Sequence, residues 1–83
     1  MNKLIIYKYI NKLTKEDIYN FSLKQNINIT NNDIDIIYNY IKNDNIRILN
    51  NTNEVLNEIK EKISTPVYNK IIELYDKYKN YIN

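Results

Sequence analysis

The chain has 83 residues and a formal net charge of +2, and 54 of its residues are Asn (17), Ile (17), Lys (11) or Tyr (9). A chain of this length forms one small domain with a marginal core, so we expect residues 1–83 to fold as a single unit. The absence of Cys excludes disulfides and thiolate metal sites, and so small a net charge does not by itself indicate a nucleic-acid partner. The four common residue types share A/T-rich codons, which indicates an AT-rich genome.

The amino-terminal segment contains an apolar run of only four residues, Leu4 to Tyr7, before Lys8 interrupts it. This run is shorter than the apolar region of a secretory signal and far shorter than a membrane span. We therefore expect a cytoplasmic protein without a transmembrane segment.

The first segment, residues 3–12, carries two conflicting signals. Its sequence "LIIYKYI" is rich in residues that favour strands. Its apolar residues nevertheless recur at helical spacing, at Ile6, Tyr9, Ile10 and Leu13. We read the segment as a short helix, with a strand as the alternative.

Two helix starts share one pattern, "LTKEDI" and "ITNNDI". In each, a Thr is suited to the N-cap position, and an Asp three residues later can bond back to the cap N–H. The pairs are Thr14 with Asp17 and Thr30 with Asp33. These capping boxes predict helices over about 15–25 and 31–43.

Each of these two helices is followed by Asn-Ile-x-Ile, beginning at Asn26 and at Asn45. Because the chain lacks Gly, Asn is the residue best able to adopt the left-handed conformation that ends a helix. The alternation that follows predicts very short extended segments near 27–29 and 46–48, with their isoleucines directed at the core. Arg47 then faces water, and we expect Arg47→Asn to leave stability unchanged.

Two further helices are predicted in the second half of the chain. Asn50 or Asn51 can begin a helix that runs over about 52–63. Thr65 as N-cap with Pro66 as the first helical residue predicts a last helix over about 66–80.

Together these elements predict the all-α class, a compact bundle of four to five short helices. The expected core consists of the apolar residues that recur at helical spacing after the caps: Ile18, Phe21, Ile34, Ile37, Tyr38, Ile41, Val55, Ile59, Ile63, Ile71, Leu74, Tyr75 and Tyr78.

A set of short motifs resembles those of a known family. They are "LTKEDI" followed by "NINIT", then "YIKNDNIRILN", then "ISTP" opening a last helix that ends in aromatic residues. Over about residues 10–78 the chain resembles the YqfT-like family of small Firmicutes proteins, a domain of unknown function. The resemblance implies the fold class and a Firmicutes host but no reaction. Family members tend to carry Asn at the position of Arg47, and Arg-Gly or Lys-Gly where this chain has Lys42-Asn43.

Catalytic and metal sites find little support among the residue types present. The chain has no His or Cys and only two serines, Ser22 and Ser64, so nucleophilic catalysis lacks its usual base. It has no Gly for a phosphate-binding loop. The acidic residues near one turn, Asp33, Asp35 and Asp44, lack the Gly and terminal Glu of a calcium loop, and Asp33 is better explained as a capping residue. We expect no enzyme activity, no metal and no cofactor.

The charged residues form two candidate surfaces, one acidic and one basic. Glu54, Glu58 and Glu61 form a stripe that we expect to be solvated. Lys8, Lys12 and Lys15 share one face of a helical first segment, and together with Arg47 they are the candidate partner-binding residues. We expect a non-enzymatic protein-interaction module whose partner and oligomeric state the sequence does not reveal.

The carboxy-terminal segment suggests an alternative. It interleaves lysines with tyrosines, at Lys70, Lys77 and Lys79 and at Tyr75, Tyr78 and Tyr81. Lysines beside stacking aromatics can bind single-stranded nucleic acid. Weak nucleic-acid binding is therefore the alternative, although not the favoured one, and contact of a basic first helix with an anionic membrane is a further one.

Overall fold

The computed structural model describes the backbone of residues 3–82 and the side chains of residues 8–77 and 79. Over that backbone the chain forms helices and no strand, which confirms the predicted all-α class. The six helices are α1 (Lys3–Lys12), α2 (Lys15–Lys24), α3 (Asn31–Asn43), α4 (Asn45–Asn50), α5 (Thr52–Lys60) and α6 (Thr65–Ile82). The first segment is thus a helix, as its apolar spacing predicted.

Both predicted capping boxes are present at the starts of α2 and α3. The Thr14 N–H donates to Oδ2 of Asp17 at 2.9 Å, and the Asp17 N–H donates back to the Thr14 hydroxyl at 3.1 Å. The same exchange joins Thr30 and Asp33 at 3.2 and 3.0 Å. Since each box satisfies N–H groups that have no partner within the helix, these residues determine where α2 and α3 begin.

The first predicted helix stop is confirmed. Asn26 has a φ of 55°, the left-handed conformation expected at the residue that ends α2. The Ile27 N–H then donates to the Ser22 carbonyl at 3.0 Å, which closes a Schellman motif. Residues 27–29 continue without regular structure, with Ile27 and Ile29 half-buried and Asn28 exposed, as the alternation predicted.

The second predicted stop is wrong, because Asn45 is the first residue of α4 rather than a left-handed terminator. Asp44, with φ −124° and ψ 25°, ends α3 and directly precedes α4, and its carbonyl accepts the Ile48 N–H at 2.9 Å. The extended segment near 46–48 is therefore a helical turn. A helix can direct the neighbouring residues Ile48 and Leu49 inward together, whereas a strand would place them on opposite faces. Ile46, expected at the core, is instead 62% exposed.

The bounds of the last two helices differ slightly from the prediction. Helix α5 starts after Asn51 as predicted, although the Asn51 side chain makes no capping hydrogen bond, and it ends at Lys60 rather than at residue 63. Helix α6 begins at Thr65, so Ser64 and not Thr65 occupies the position before it. The Tyr68 N–H accordingly donates to the Ser64 carbonyl at 3.0 Å.

One cluster of buried side chains forms the centre of the core: Tyr40, Val55, Ile59, Ile63 and Val67. Three of them were predicted, whereas Tyr40 and Val67 were not. Phe21, predicted to be buried, is 45% exposed, and the side chain of Tyr78 lies outside those that the structure describes. Tyr40 is buried because its hydroxyl is satisfied there, by hydrogen bonds with Glu58 and Lys62.

Polar bonds connect α1 to the rest of the bundle. The Lys42 ammonium donates to the Asn11 carbonyl at 2.6 Å, and the Asn45 amide donates to the Asn11 side-chain oxygen at 2.9 Å. The end of α1 is thereby held against α3 and α4. Among the helices in residues 3–82, not even α6, the longest, offers an apolar stretch that would span a membrane.

Candidate functional site

An open apolar groove of about 660 Å³ lies between the end of α1, α2, the 27–29 segment, α3 and α6. Its floor consists of aliphatic side chains from three of these elements: Ile27, Ile29, Ile37, Val67, Ile71 and Leu74. Val67 belongs to the core cluster, and Ile27, Ile29, Ile37 and Ile71 pack against it. The floor of the groove is therefore the outer surface of the core, and packing against the core holds the floor side chains in place.

The wall formed by α2 is positioned by the two ends of that helix. The capping box at Thr14 sets the turn between α1 and α2, and the Schellman motif at Asn26 returns the chain so that Ile27 enters the floor. Ser22 also lines this wall, and its hydroxyl donates to the Tyr19 carbonyl at 2.6 Å. Because this hydroxyl already donates to a carbonyl, Ser22 adds no free donor to the wall, and Ile18 and Phe21 supply the apolar contacts of α2.

Apolar surface continues outside the groove onto its rim. Tyr9 of α1 is 68% exposed, and Phe21 of α2 is 45% exposed, and both line the opening. Tyr19 and Leu23 of α2 are also largely exposed, but they lie two positions from Phe21, on the other side of the helix, and do not line the groove. Exposed aromatic side chains beside an apolar groove, such as Tyr9 and Phe21, mark interaction surfaces more often than ordinary protein surface.

The rim carries more positive than negative charge. Lys12, Lys24 and Lys70 line the groove, against a single carboxylate from Asp17, which is engaged in the capping box of α2. Lys70 pairs with Glu73 at 2.9 Å. Among the side chains of residues 8–77 and 79, Lys12 and Lys24 form no ion pair. The groove thus combines an aliphatic floor with two ammonium groups, those of Lys12 and Lys24, that have no ion-pair partner among the described side chains.

The predicted face of Lys8, Lys12 and Lys15 does not form. Helix α1 ends at Lys12, so Lys15 belongs to α2 and not to the same helical face. The Lys15 ammonium pairs with Asp35 at 2.9 Å and lies 5.4 Å from the centre of the Tyr38 ring. Lys8 is exposed on α1, and of the three only Lys12 lines the groove.

Arg47, predicted to face water, is instead the centre of a charged cluster. Its guanidinium contacts Asp44 at 3.4 Å, Glu54 at 3.4 Å and Glu58, and 34% of its side chain is exposed. The correction follows from α4: a helical turn directs residue 47 back towards α5, where an extended segment would have directed it away. The hydrogen bond with Glu58 raises the pKa of Arg47, so its charge is permanent.

Glu58 continues this cluster into the core, so the predicted acidic stripe is not uniformly solvated. Its carboxylate accepts from Arg47 and from the Tyr40 hydroxyl, at 3.1 Å, and the Lys62 ammonium donates to that hydroxyl at 2.9 Å. The bond from Arg47 lowers the pKa of Glu58, and the bond with Tyr40 raises the pKa of Lys62. Every member of this chain is satisfied by another, which indicates a structural role.

Asp33 is the one buried carboxylate, 2% exposed, among the residues whose side chains the structure describes. It accepts hydrogen bonds from the N–H groups of Thr30 and Ser64 and from the Ser64 hydroxyl. Burial alone would raise the pKa of Asp33, but these hydrogen bonds outweigh it and hold that pKa below its ordinary value. As predicted, Asp33 is a capping residue.

The described residues contain no cluster of three or more His, Cys, Asp or Glu side chains that could hold a metal ion. A second hollow of about 380 Å³ lies at the α4–α5 corner and is lined by Leu49, residues 50–54 and Tyr75. Its lining is mostly amide and hydroxyl groups, and its one carboxylate, Glu54, contacts Arg47. The apolar groove is therefore the stronger candidate.

Sequence reasoning missed the groove, because its lining comes from five separated parts of the chain. One signal was present: α2 carries Ile18, Phe21 and Leu23, which are too widely spread around a helix for one stripe to bury all of them. That spread predicts an exposed apolar side on α2. Lys24, which follows Leu23 directly, was not singled out either.

No family model matches the chain, and no curated protein or solved structure is significantly similar to it. The resemblance to the YqfT-like family stays a prediction based on the short motifs.

Proposed function

We propose that this protein is a non-enzymatic, cytoplasmic interaction module that binds a partner protein through the apolar groove. The observation that carries the proposal is the continuity of the groove with the exposed side chains of Tyr9 and Phe21 at its opening. A domain this small gains stability from every apolar side chain that it buries, so an uncovered apolar surface of this extent is costly unless a partner covers it.

The extent of that surface favours a protein over a small molecule. A small ligand confined to the groove would cover only the parts of Tyr9 and Phe21 that line it and would leave the rest of these side chains exposed. A protein segment can fill the groove and cover Tyr9 and Phe21 as well, and aromatic side chains of this kind often carry most of the energy of an interface.

The hydroxyl groups of both serines already form hydrogen bonds, which supports a non-enzymatic role. The Ser22 hydroxyl donates to the Tyr19 carbonyl, and the Ser64 hydroxyl donates to the carboxylate of Asp33. Neither serine has a base positioned to take its proton during attack on a substrate, since a carbonyl and a carboxylate of lowered pKa are poor proton acceptors.

Weak nucleic-acid binding through lysines and exposed tyrosines stays the alternative. Stacking on bases needs free aromatic faces. Lys15 and Lys42 each lie 5.4 Å from the Tyr38 ring, and Lys62 lies 5.2 Å from the Tyr40 ring. These lysines and tyrosines contact each other, but they are not those of the carboxy-terminal segment on which the alternative is based.

Site-specific photo-crosslinking in the cells that express the protein tests the proposal. A photoreactive phenylalanine analogue would replace Phe21 at the groove in one variant and Ile46, 62% exposed on α4, in a matched control. We expect discrete protein adducts from position 21 and none of the same adducts from position 46. Mass spectrometry of the adducts would then identify the partner.

Two results would contradict the proposal. Equal adducts from both positions would mean that the groove does not select the partner. Adducts from position 21 that a nuclease removes, together with a salt dependence of binding to mixed single-stranded DNA of about −0.7 per phosphate in log–log form, would support the nucleic-acid alternative instead.

A further inference from the structure

We infer that the segment bound in the groove is an acidic amphipathic helix. This inference rests on the proposed function and specifies the chemistry of the partner. Three properties of the groove carry it: its aliphatic floor, the absence of a strand beside it, and the sign of the charge at its rim.

The lining of the groove indicates the conformation of its occupant. Peptides bind proteins mainly by adding a strand to a sheet edge, by lying in an aromatic-lined groove as a polyproline helix, or by placing the apolar face of an α-helix in a groove. Residues 3–82 contain no strand, so no sheet edge is offered there. The floor is aliphatic, formed by Ile27, Ile29, Ile37, Ile71 and Leu74, rather than aromatic. A helix that presents aliphatic residues at spacing i, i+3, i+4 and i+7 is the occupant that fits.

The charged side chains at the rim indicate the charge of the occupant. Lys12 and Lys24 end α1 and α2 at the rim and form no ion pair among the described side chains, while Lys70 shares its charge with Glu73. Within the described part of the chain, one carboxylate lines the groove, that of Asp17, and it is held in a capping box. Glu or Asp residues flanking the apolar stripe of the partner helix would meet these ammonium groups, whereas Lys or Arg there would be repelled.

A second copy of the chain does not supply such a helix from its described residues. The acidic helix α5 carries Glu54 and Glu58, but its apolar residues Val55, Leu56 and Ile59 are buried in its own core. Helix α2 carries as many lysines (Lys15 and Lys24) as carboxylates (Glu16 and Asp17), so it is not an acidic helix, and its Phe21 already lines the groove of its own copy. The occupant is therefore a segment of a different protein.

A titration with designed peptides tests the inference on the whole chain. One peptide of about 16 residues would carry Leu at i, i+3, i+4 and i+7 with Glu at the flanking positions, and its twin would carry Lys in place of each Glu. Fluorescence anisotropy measures the affinity of each peptide, and amide chemical shifts locate the contact. We expect the acidic peptide to bind about fourfold more tightly than its twin, because two exposed ion pairs, with Lys12 and Lys24, of about twofold each combine to that ratio.

The matched variants are Lys24→Glu and Lys60→Glu. Both lysines are exposed and both are the last residue of a helix, α2 and α5, but Lys60 does not line the groove. The two substitutions change the net charge equally and place the new carboxylate at the same unfavourable helix end. We expect Lys24→Glu to remove most of the preference for the acidic peptide and Lys60→Glu to retain it.

The outcomes separate this inference from the proposed function. Equal binding of both peptides, or tighter binding of the lysine twin, would overturn the acidic partner while leaving the groove as a protein site. The inference would also be overturned by amide shifts confined to residues outside the groove. The same holds if anionic vesicles or DNA displace the peptide at lower concentrations than the peptide itself. If photo-crosslinking at Phe21 yields a partner whose bound segment is basic or not helical, the proposed function stands and this inference fails.

Discussion

The hydroxyl of Ser64 donates a 2.7 Å hydrogen bond to Oδ2 of Asp33, and the Ser64 N–H donates a 2.9 Å bond to Oδ1 of the same carboxylate. The two residues lie 31 positions apart. One carboxylate therefore takes part in the start of two helices, α3 through the Thr30 capping box and α6 through Ser64.

Asp33→Asn should lower the free energy of unfolding by about 2 kcal/mol, because an amide cannot accept hydrogen bonds on both sides and leaves a buried N–H group without its partner. Urea denaturation measures this loss. Asp35→Asn is the control: Asp35 pairs with Lys15 in an ion pair more than half exposed on both sides, so its loss should cost no more than about 0.5 kcal/mol. Equal effects of the two substitutions would contradict the role given to Asp33.

The contribution of Asp33 should depend on pH in a defined direction. The folded-state pKa of Asp33 lies below its ordinary value, so the folded protein binds fewer protons than the unfolded chain in acid. The stabilisation is then complete above about pH 4 and disappears as the pH falls through the folded-state pKa. The difference in stability between the wild type and Asp33→Asn should be constant between about pH 5 and 7 and shrink below about pH 4. A difference that grows in acid would have the wrong sign.

Thr30→Ala should cost about 1 kcal/mol, since the Thr30 hydroxyl accepts the Asp33 N–H in the capping box of α3. Thr65→Ala should change stability by less than about 0.5 kcal/mol, because Thr65 is the first residue of α6 and the position before that helix is taken by Ser64. Thermal unfolding of the two variants distinguishes the positions. A loss at Thr65 as large as that at Thr30 would restore Thr65 as the cap.

Asn26→Ala should lower the free energy of unfolding by about 1 kcal/mol, because Ala has the steric cost of a left-handed φ without the local hydrogen bonding of Asn. Asn26→Gly should be neutral or slightly stabilising, since Gly adopts this conformation freely. Chemical denaturation of the pair measures the difference. If Ala and Gly behave alike, the left-handed conformation at residue 26 is not needed.

Arg47→Asn should lower the thermal midpoint, in contrast to the expectation from an outward-facing residue. The substitution leaves Asp44, Glu54 and Glu58 without their shared guanidinium. The loss of stability should be smaller than that caused by Asp33→Asn. It should shrink at about 0.5 M salt, because salt screens charges that are partly exposed to water. Lys60→Asn removes the same charge from an exposed site and is the control. Identical midpoints for the two variants would show that only net charge matters.

The helix starts were predictable where the chemistry is local. The capping boxes at Thr14 and Thr30 need only residues three positions apart, so the sequence pattern contains all of their geometry. The start of α6 was misplaced by one residue because Ser64 is held by Asp33, which is distant in sequence. A pattern read along the chain does not contain that contact.

The two Asn-Ile-x-Ile segments had the same prediction and different outcomes. At Asn26 the chain turns left-handed and reaches a new cap at Thr30 within four residues, so it has no room for another helical turn. After Asn45 no cap follows until residue 51, and the pair Ile48–Leu49 favours a helical turn that directs both inward. Because residues 45–50 form a helix and not an extended segment, Arg47 faces α5 and not water.

The candidate site was the least predictable feature. Lys12 was chosen as part of a helical face that does not form, and it reaches the groove only because α2 turns back beside α1. Lys24 and Lys70 belong to other helices and were not chosen for the groove. The shape of a groove between several helices depends on the angles at which those helices pack. The spacing of apolar residues within one helix does not predict these angles.

The shared floor of groove and core has a thermodynamic consequence. Ile27, Ile29, Ile37 and Ile71 are covered from below by the core cluster and from above by any occupant, so binding requires the folded state. By mass action, a ligand present at about one hundred times its dissociation constant would raise the free energy of unfolding by about 2.7 kcal/mol. For a domain of marginal stability, the concentration of the free partner would then set how much of the chain is folded, and so how much of it survives proteolysis.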